Sequence, residues 1–168
     1  MDWKKLSSNL IWIAALIFLA WYFLLPVSLA DKLPAGEGIR ISVLERDTAD
    51  TPVQTTYYLP PESAAHGEFR DLLGQYPCYR TINTNGRVTD QGLEWDQTYL
   101  IQTDSATTFI YAHGGSKVTV NDTYLRMGWF NSKQSVAFAE GIYHILKQTD
   151  TGVVIEDVQV IEPTEYGF

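Results

Sequence analysis

The longest apolar stretch of the chain lies close to its start. Residues 9–30 contain 19 apolar residues in 22 positions, and the run over residues 10–25 is uninterrupted. About 20 helical residues cross the roughly 30 Å apolar layer of a bilayer, so residues 9–30 predict a transmembrane signal anchor. Lys4 and Lys5 precede the segment. By the positive-inside rule, residues 1–8 are then cytoplasmic and the rest of the chain is extracytoplasmic.

The same segment has a second interpretation as a cleaved signal peptide. Ser28 and Ala30 place small residues at the −3 and −1 positions of a cleavage after Ala30, and Pro26 would end the helix just before it. Both interpretations export residues 31–168. The anchor predicts a single-pass protein of the cell membrane, and the signal peptide predicts a secreted one.

Alternating polar and apolar residues follow a short polar segment. Residues 31–38 (DKLPAGEG) are interpreted as a juxtamembrane linker. Apolar and polar residues then alternate over 39–43 and again over 53–59, which is the period of a half-buried strand. Turn-forming residues at 47–50 separate the two runs, so they predict a β-hairpin.

Two later segments have the 3.6-residue period of amphipathic helices. The first is predicted over 64–75, capped by Ser63 and ended by Pro77, and the second over 132–148. Each has a single apolar stripe, formed by Phe69, Leu72, Leu73 and Tyr76 in the first and by Phe138, Ala139, Ile142, Ile145 and Leu146 in the second.

Short strand patterns fill the region between the helices, and a last strand is predicted over 153–161. The apolar parity of this last strand switches near Glu156 and Asp157, which predicts a bulge or an edge position. Short connections mean antiparallel neighbours. The predicted order is β-β-α-β-β-β-β-α-β, an α+β two-layer sandwich over residues 39–168 with helices on one face of the sheet and the other face solvated.

The hairpin that leads into the last helix reads KVTVNDTYLRMGWFNSKQSVAFAEGIYHIL. With the preceding hairpin, helix and meander, this layout resembles small, largely uncharacterised, membrane-anchored extracytoplasmic α+β domains of Gram-positive bacteria. The resemblance implies an α+β fold and an anchored, extracytoplasmic domain. It carries over no functional residues.

Charge and cysteine content narrow the possible partners. The chain has a formal net charge of −8, and only two of its basic residues and one of its acidic residues precede the apolar segment. An acidic exported domain repels phosphate backbones, so a nucleic-acid partner is not expected.

Cys78 is the only cysteine, which excludes an internal disulfide. A buried thiol after Pro77 and an intermolecular disulfide or reactive thiol remain alternatives.

No sequence motif for catalysis or for a cofactor is present. The chain lacks HExxH, G-x-S-x-G, GxGxxG and paired-cysteine motifs, so we predict no catalytic residue, no metal site and no cofactor. His66 and His144 are predicted on helix surfaces. Weaker patterns are interpreted as turns or exposed strand positions; they are the acidic turn at 47–50, Glu94 with Asp96, and the glycine-rich turn after His113.

The remaining signal is a set of polar and aromatic residues at positions assigned to the solvated face of the sheet. Such residues can stack on sugars or anchor a protein interface, although an ordinary solvated face is the alternative. The candidate binding residues are Arg40, Tyr58, Arg80, Thr98, Thr108, Thr119, Tyr124 and Arg126.

These observations favour a non-catalytic, single-pass membrane protein whose exported domain binds a protein or a cell-wall polymer. One alternative is a hydrolase acting on an envelope substrate, in which His113 would meet a serine and a carboxylate from distant parts of the chain. Another is an immunity or inhibitor protein, because an acidic exported domain suits a basic target.

Overall fold

The computed structural model describes residues 3–46, 51–81, 98–105, 109–112, 117–121, 123–128 and 133–160. In these ranges the α-helices are α1 (Trp3–Leu24), α2 (Ala64–Gln75) and α3 (Lys133–Lys147). The strands are β1 (Ile39–Arg46), β2 (Pro52–Leu59), β3 (Cys78–Arg80), β4 (Thr98–Thr103), β5 (Phe109–Ala112), β6 (Lys117–Val120), β7 (Thr123–Met127) and β8 (Val154–Val160).

The eight described strands form one antiparallel sheet in the order β3-β7-β6-β5-β4-β1-β2-β8. The α+β class with an antiparallel sheet and helices is therefore confirmed. The predicted element order is wrong in one respect, because five strands rather than four lie between α2 and α3 in the described ranges. The three-residue β3 falls on a strand pattern that the sequence shows over 78–82; it pairs with β7 at the sheet edge, apart from the meander β4–β7.

The core lies between one face of the sheet and the two amphipathic helices. The bounds of α2 match the prediction, and the Ser63 Oγ accepts a hydrogen bond from the His66 amide at 3.1 Å as an N-cap. α3 lies within one residue of its prediction at each end. Both predicted stripes pack against alternate strand residues in one cluster, which includes Phe69, Leu73, Phe138 and Ile142 from the helices and Ile39, Ile41, Leu59, Tyr99, Ile101 and Leu125 from the sheet.

The last strand has the irregularity that its sequence predicts. Thr56 pairs with Asp157, whereas the next residue, Tyr57, pairs with Ile155. Glu156 is therefore the extra residue of a β-bulge, and this accounts for the switch in apolar parity. β8 is also the outermost strand on its side of the sheet.

The first helix ends earlier than the predicted anchor, and the residues after it belong to the domain. α1 ends at Leu24. Val27 forms an antiparallel bridge with Cys78, with N–O distances of 2.6 and 3.1 Å, and so extends the outer edge of β3. Leu29 is 0% exposed and is one of the largest fully buried side chains. The C-terminal part of the predicted span 9–30 is thus part of the domain core.

The predicted linker, residues 31–38, connects α1 to β1 but is packed on the domain. Leu33 is buried in the core cluster. The Arg70 guanidinium of α2 donates hydrogen bonds to the carbonyls of Ala30, Leu33 and Pro34 at 3.1–3.3 Å. These contacts hold the segment in place, so α1 is joined to the domain without a free spacer.

α1 presents apolar side chains around its surface. Twelve large apolar side chains between Leu10 and Leu25 are each 40% or more exposed. Judged over the part of the chain that the structure describes, none of the helices combines the length and the apolarity of a membrane span, so the predicted transmembrane helix is not confirmed.

Candidate binding surface on the open face of the sheet

The face of the sheet opposite α2 and α3, which we call the open face, carries the polar positions of the strands. Because antiparallel partners share a face, the register aligns these positions in rows across the sheet. One row crosses seven strands and consists of Asp157, Thr56, Ser42, Leu100, Tyr111, Thr119 and Tyr124. Five of the predicted binding residues have described side chains at open-face positions; they are Arg40, Tyr58, Thr119, Tyr124 and Arg126.

Arg80 does not belong to this face, which corrects its place in the predicted set. It pairs with Leu125, a buried core residue, whereas its neighbour Tyr79 pairs with Arg126. Arg80 therefore lies on the core side of β3, where its guanidinium stacks on the Tyr22 ring of α1 at 4.7 Å from the centroid. The parity of Cys78, two residues earlier and buried, is the sequence signal for this placement.

The side chains of two other predicted residues lie outside the described residues. Thr98 begins β4 and pairs with Leu44, which is an open-face register position, but its side chain lies outside the described residues. Thr108 lies outside them entirely.

Arg40 is the centre of a polar cluster at the β1–β4–β8 end of the open face. Its Nη1 donates to the Asp104 Oδ1 at 2.6 Å, and its Nε donates to the Glu156 Oε2 at 2.9 Å. The guanidinium also lies 4.9 Å from the ring centroid of its cross-strand partner Tyr58. The Tyr58 hydroxyl donates to the Asp104 Oδ2 at 3.1 Å, and the Gly38 amide donates to the same oxygen at 2.9 Å.

Asp104 and the neighbouring Glu37 are stabilised in their charged form. Partial desolvation raises the pKa of Asp104, but the hydrogen bonds from Arg40, Gly38 and Tyr58 outweigh it and leave that pKa below its ordinary value. The neighbouring Glu37 accepts from the Ser105 hydroxyl at 2.8 Å. That bond, with one from Thr103, lowers the pKa of Glu37.

The Arg40 cluster (Arg40, Tyr58, Asp104 and Glu156) is thus internally paired. One cation meets two carboxylates, so the guanidinium has few donors left for a ligand. What the cluster does is join β1, β2, β8 and the residue after β4 through side chains. Neither Asp104 nor Glu156 belongs to the predicted binding set; Asp104 follows β4, and Glu156 lies at the predicted bulge.

The opposite end of the open face is less fully paired. We call Thr119, Tyr124 and Arg126 the β6–β7 patch. Arg126 is exposed and makes no ion pair with any side chain that the structure describes. The Thr119 Oγ1 is buried and has no hydrogen-bond partner among the described residues. A buried hydroxyl without a partner is uncommon in proteins. Tyr124 is half-buried beside Thr119, its register partner.

The groups considered for catalysis do not form a site in the described ranges. His144 is exposed as predicted, but His66 is buried, which corrects its predicted surface position. The His66 Nε2 lies 2.9 Å from the Glu37 carbonyl; because a carbonyl only accepts, Nε2 carries the proton. No group of three His, Cys, Asp or Glu side chains comes together to hold a metal ion within the described residues.

Cys78 is buried, which confirms the first of its two interpretations. Burial raises the pKa of its thiol to about 12, and a protonated thiol is a poor nucleophile. The remaining candidates lie outside the described residues; these are the acidic turn at 47–50, Glu94, Asp96, and His113 with its glycine turn.

Comparisons of the chain with protein-family models, with curated proteins and with solved structures found no match.

Proposed function

We propose that the protein is a non-catalytic membrane-anchored protein. In this proposal α1 inserts its apolar surface into the membrane, and the α+β domain lies on the extracytoplasmic side, where it binds a protein or a cell-wall polymer through the β6–β7 patch. The single observation that carries the binding role is the composition of this patch, an exposed arginine and a tyrosine beside a buried hydroxyl without a partner among the described residues.

The membrane location rests on the surface of α1. Each large apolar side chain left in water forgoes roughly 1.5–3 kcal/mol of burial free energy, and twelve such side chains are exposed between Leu10 and Leu25. A lipid environment removes this penalty. Lys4 and Lys5 at the start of the helix favour a cytoplasmic N-terminus.

Retention of the anchor is favoured over cleavage after Ala30. Such a cleavage would remove Leu29 from the core and Val27 from the edge of β3. It would also remove the Ala30 carbonyl that accepts a hydrogen bond from Arg70. Signal peptides are normally joined to the mature protein by a segment that the fold does not need, and residues 27–33 do not have that character.

The binding role rests on the contrast between the two ends of the open face. The Arg40 cluster is satisfied by its own partners, whereas the β6–β7 patch offers a guanidinium, a phenol and a hydroxyl. Tyrosine and arginine are enriched at the energetically dominant positions of interfaces. The same groups stack on and hydrogen-bond to sugar rings, which suits a wall polymer.

The proposal is tested with the full chain in its native envelope. Wild type, Y124A/R126A and Y143A are crosslinked in intact cells and purified, and each is also tested for co-sedimentation with purified cell wall. Tyr143 is an exposed tyrosine of α3 on the other layer, so Y143A is the matched control. We expect Y124A/R126A to lose at least about tenfold of the adduct or of the wall binding, and Y143A to retain it.

Thermal unfolding of each variant separates lost binding from lost folding. A folded Y124A/R126A protein that keeps every adduct and its wall binding would contradict the assignment of the β6–β7 patch. Loss of binding in Y143A to the same extent would contradict it as well, because the helix layer would then carry the interface.

A further inference from the structure

The two edges of the sheet differ in how they are covered. At one edge Val27 pairs with Cys78 and occupies the outer backbone groups of β3 at that position. At the other edge β8 pairs with β2, and its outer side has no backbone partner among the described residues. A strand edge with unpaired N–H and C=O groups is a template for a further strand unless it is blocked.

β8 contains no proline and no lysine, two residue types that commonly block a sheet edge. Its seven residues are all exposed, and it pairs with β2 from Val53 to Tyr58, on both sides of the bulge at Glu156. Its apolar side chains are unusually open to water; Val154, Ile155, Val158 and Val160 are 47%, 61%, 58% and 65% exposed.

Three of these side chains lie on the core side of the sheet but beyond the helices. Ile155, Val158 and Val160 pair with Tyr57, Thr55 and Val53 of β2. Tyr57 is buried beneath the helix layer, whereas Thr55 and Val53 are only half-buried. The helix layer therefore stops at β2, and the core side of β8 forms an uncovered apolar strip (Ile155, Val158 and Val160).

We propose that β8 accepts an extended segment of a partner protein as a ninth strand. Backbone hydrogen bonds to the outer edge of β8 would hold the segment, as in other cases of strand addition. Alternate side chains of the segment would be apolar and cover the strip. Those on the open face would include a basic residue facing Asp157.

The charge of β8 identifies the chemistry of the partner. The strand carries Glu156 and Asp157 and no basic residue, and the chain as a whole has a net charge of −8. Glu156 is already paired with Arg40, whereas Asp157 contacts the neutral Gln159. Among the residues that the structure describes, Asp157 has no basic partner, so a lysine or arginine across from it is favourable.

The same charges disfavour the two other occupants of the edge. Asp157 is the central residue of β8, so two copies paired antiparallel over the full strand would place Asp157 opposite Asp157. Like charges in directly opposite positions destabilise a strand pair. A membrane surface is disfavoured because α1 contacts β3, and seven strand spacings of about 4.8 Å place β8 roughly 34 Å from that edge.

The experiment uses the full chain in lipid nanodiscs and labelled seven-residue peptides. The probe peptide alternates valine and lysine. In the first control peptide aspartate replaces lysine, and in the second control peptide alternate backbone amides of the valine–lysine sequence are N-methylated. Binding is followed by fluorescence anisotropy, and hydrogen exchange of the β8 amides reports the site. The variants are I155S/V158S and D157K, with V136S as the matched control, because Val136 is an exposed valine of α3.

We expect the valine–lysine peptide to bind wild type and V136S and to slow exchange along β8. I155S/V158S should weaken it by about tenfold or more, and the N-methylated peptide should not bind. D157K should weaken the lysine peptide and strengthen the aspartate peptide. This charge exchange does not depend on the apolar strip, so it keeps the proposal testable should I155S/V158S fail to fold.

Four results would overturn the proposal. They are no binding of the lysine peptide up to about 1 mM, equal binding of the aspartate peptide, unchanged binding to folded I155S/V158S, and a wild-type dimer in sedimentation that I155S/V158S abolishes. The last result would assign the edge to a second copy. None of these readouts involves Tyr124 or Arg126, so failure here and failure of the β6–β7 patch are distinguishable.

Discussion

The guanidinium of Arg80 lies 4.7 Å from the ring centroid of Tyr22, and its Nη1 donates a hydrogen bond to the Tyr22 carbonyl at 3.4 Å. A cation at the C-terminal end of a helix also interacts favourably with the helix dipole. With the Val27–Cys78 bridge, this contact joins the end of α1 to the edge strand β3. The helix and the sheet are therefore coupled through side chains and backbone at once.

The segment after α1 should contribute to the stability of the domain. We expect L29A to lower the free energy of unfolding by about 2–5 kcal/mol, because Leu29 is fully buried and its loss leaves a cavity in the core. L25A is the matched control; Leu25 is 40% exposed, so its effect should stay within about 0.5 kcal/mol. Chemical denaturation of the full chain in detergent measures both. Equal effects of the two substitutions would show that Leu29 is not part of the core.

The Arg40 cluster and Glu37 should make the domain sensitive to acid. The pKa values of Asp104 and Glu37 are lowered in the folded state from ordinary values of 3.8 and 4.5. A lowered carboxylate pKa contributes stability that is present above the ordinary value and is lost as pH falls through the folded value. We therefore expect the unfolding temperature to fall progressively as the pH drops below about 5.

Removing the titrating groups tests this origin of the acid sensitivity. E37Q and D104N should each unfold at a lower temperature at pH 7 than the wild type and show a shallower decline in acid. E68Q, a change at an exposed residue of α2, should follow the wild-type curve. If E37Q and D104N declined as steeply as the wild type, other carboxylates would be responsible.

Two helix glycines should respond to alanine in opposite directions. A Cβ at Gly67 in α2 would meet nothing within 4 Å, so G67A should stabilise the protein by about 0.5–1 kcal/mol through helix propensity. A Cβ at Gly141 in α3 would lie 2.6 Å from the Leu72 Cδ1, so G141A should displace the Leu72 side chain from its place in the core and destabilise the protein. The unfolding temperatures of both variants, compared with that of the wild type, measure the two changes in stability. Stabilisation by G141A would contradict the close packing of the two helices.

The sequence predicted the parts of the fold that depend on local periodicity. The bounds of α2, the stripe of α3, the first hairpin and the irregularity near Glu156 follow from patterns of apolar residues within single segments. The order of strands in the sheet depends on contacts between distant residues, and no local pattern encodes it. Even so, the parity of Cys78 and Arg80 was sufficient to place Arg80 on the core side.

The candidate surface was predictable in part for the same reason. Parity placed Tyr124 and Arg126 on the open face, because β7 pairs with β6 without a bulge and its side chains alternate between the two faces. The Arg40 cluster was not predictable, since Asp104 and Glu156 are 64 and 116 residues from Arg40 and meet it only through the sheet. The packing of residues 27–38 on the domain was not predicted, because residues 27–30 fall in the predicted membrane segment and residues 31–38 in the predicted linker.

The central claim is that the protein remains in the membrane as one uncleaved unit of helix and domain. The intact mass of the chain, measured in the cells that produce it, tests this claim most directly. The cells are fractionated, the membranes are washed with alkaline carbonate, and the mass of the chain is measured in each fraction. We expect a chain that retains α1 and stays with the washed membranes. A chain that begins at Asp31 and appears in the soluble fraction would contradict the account.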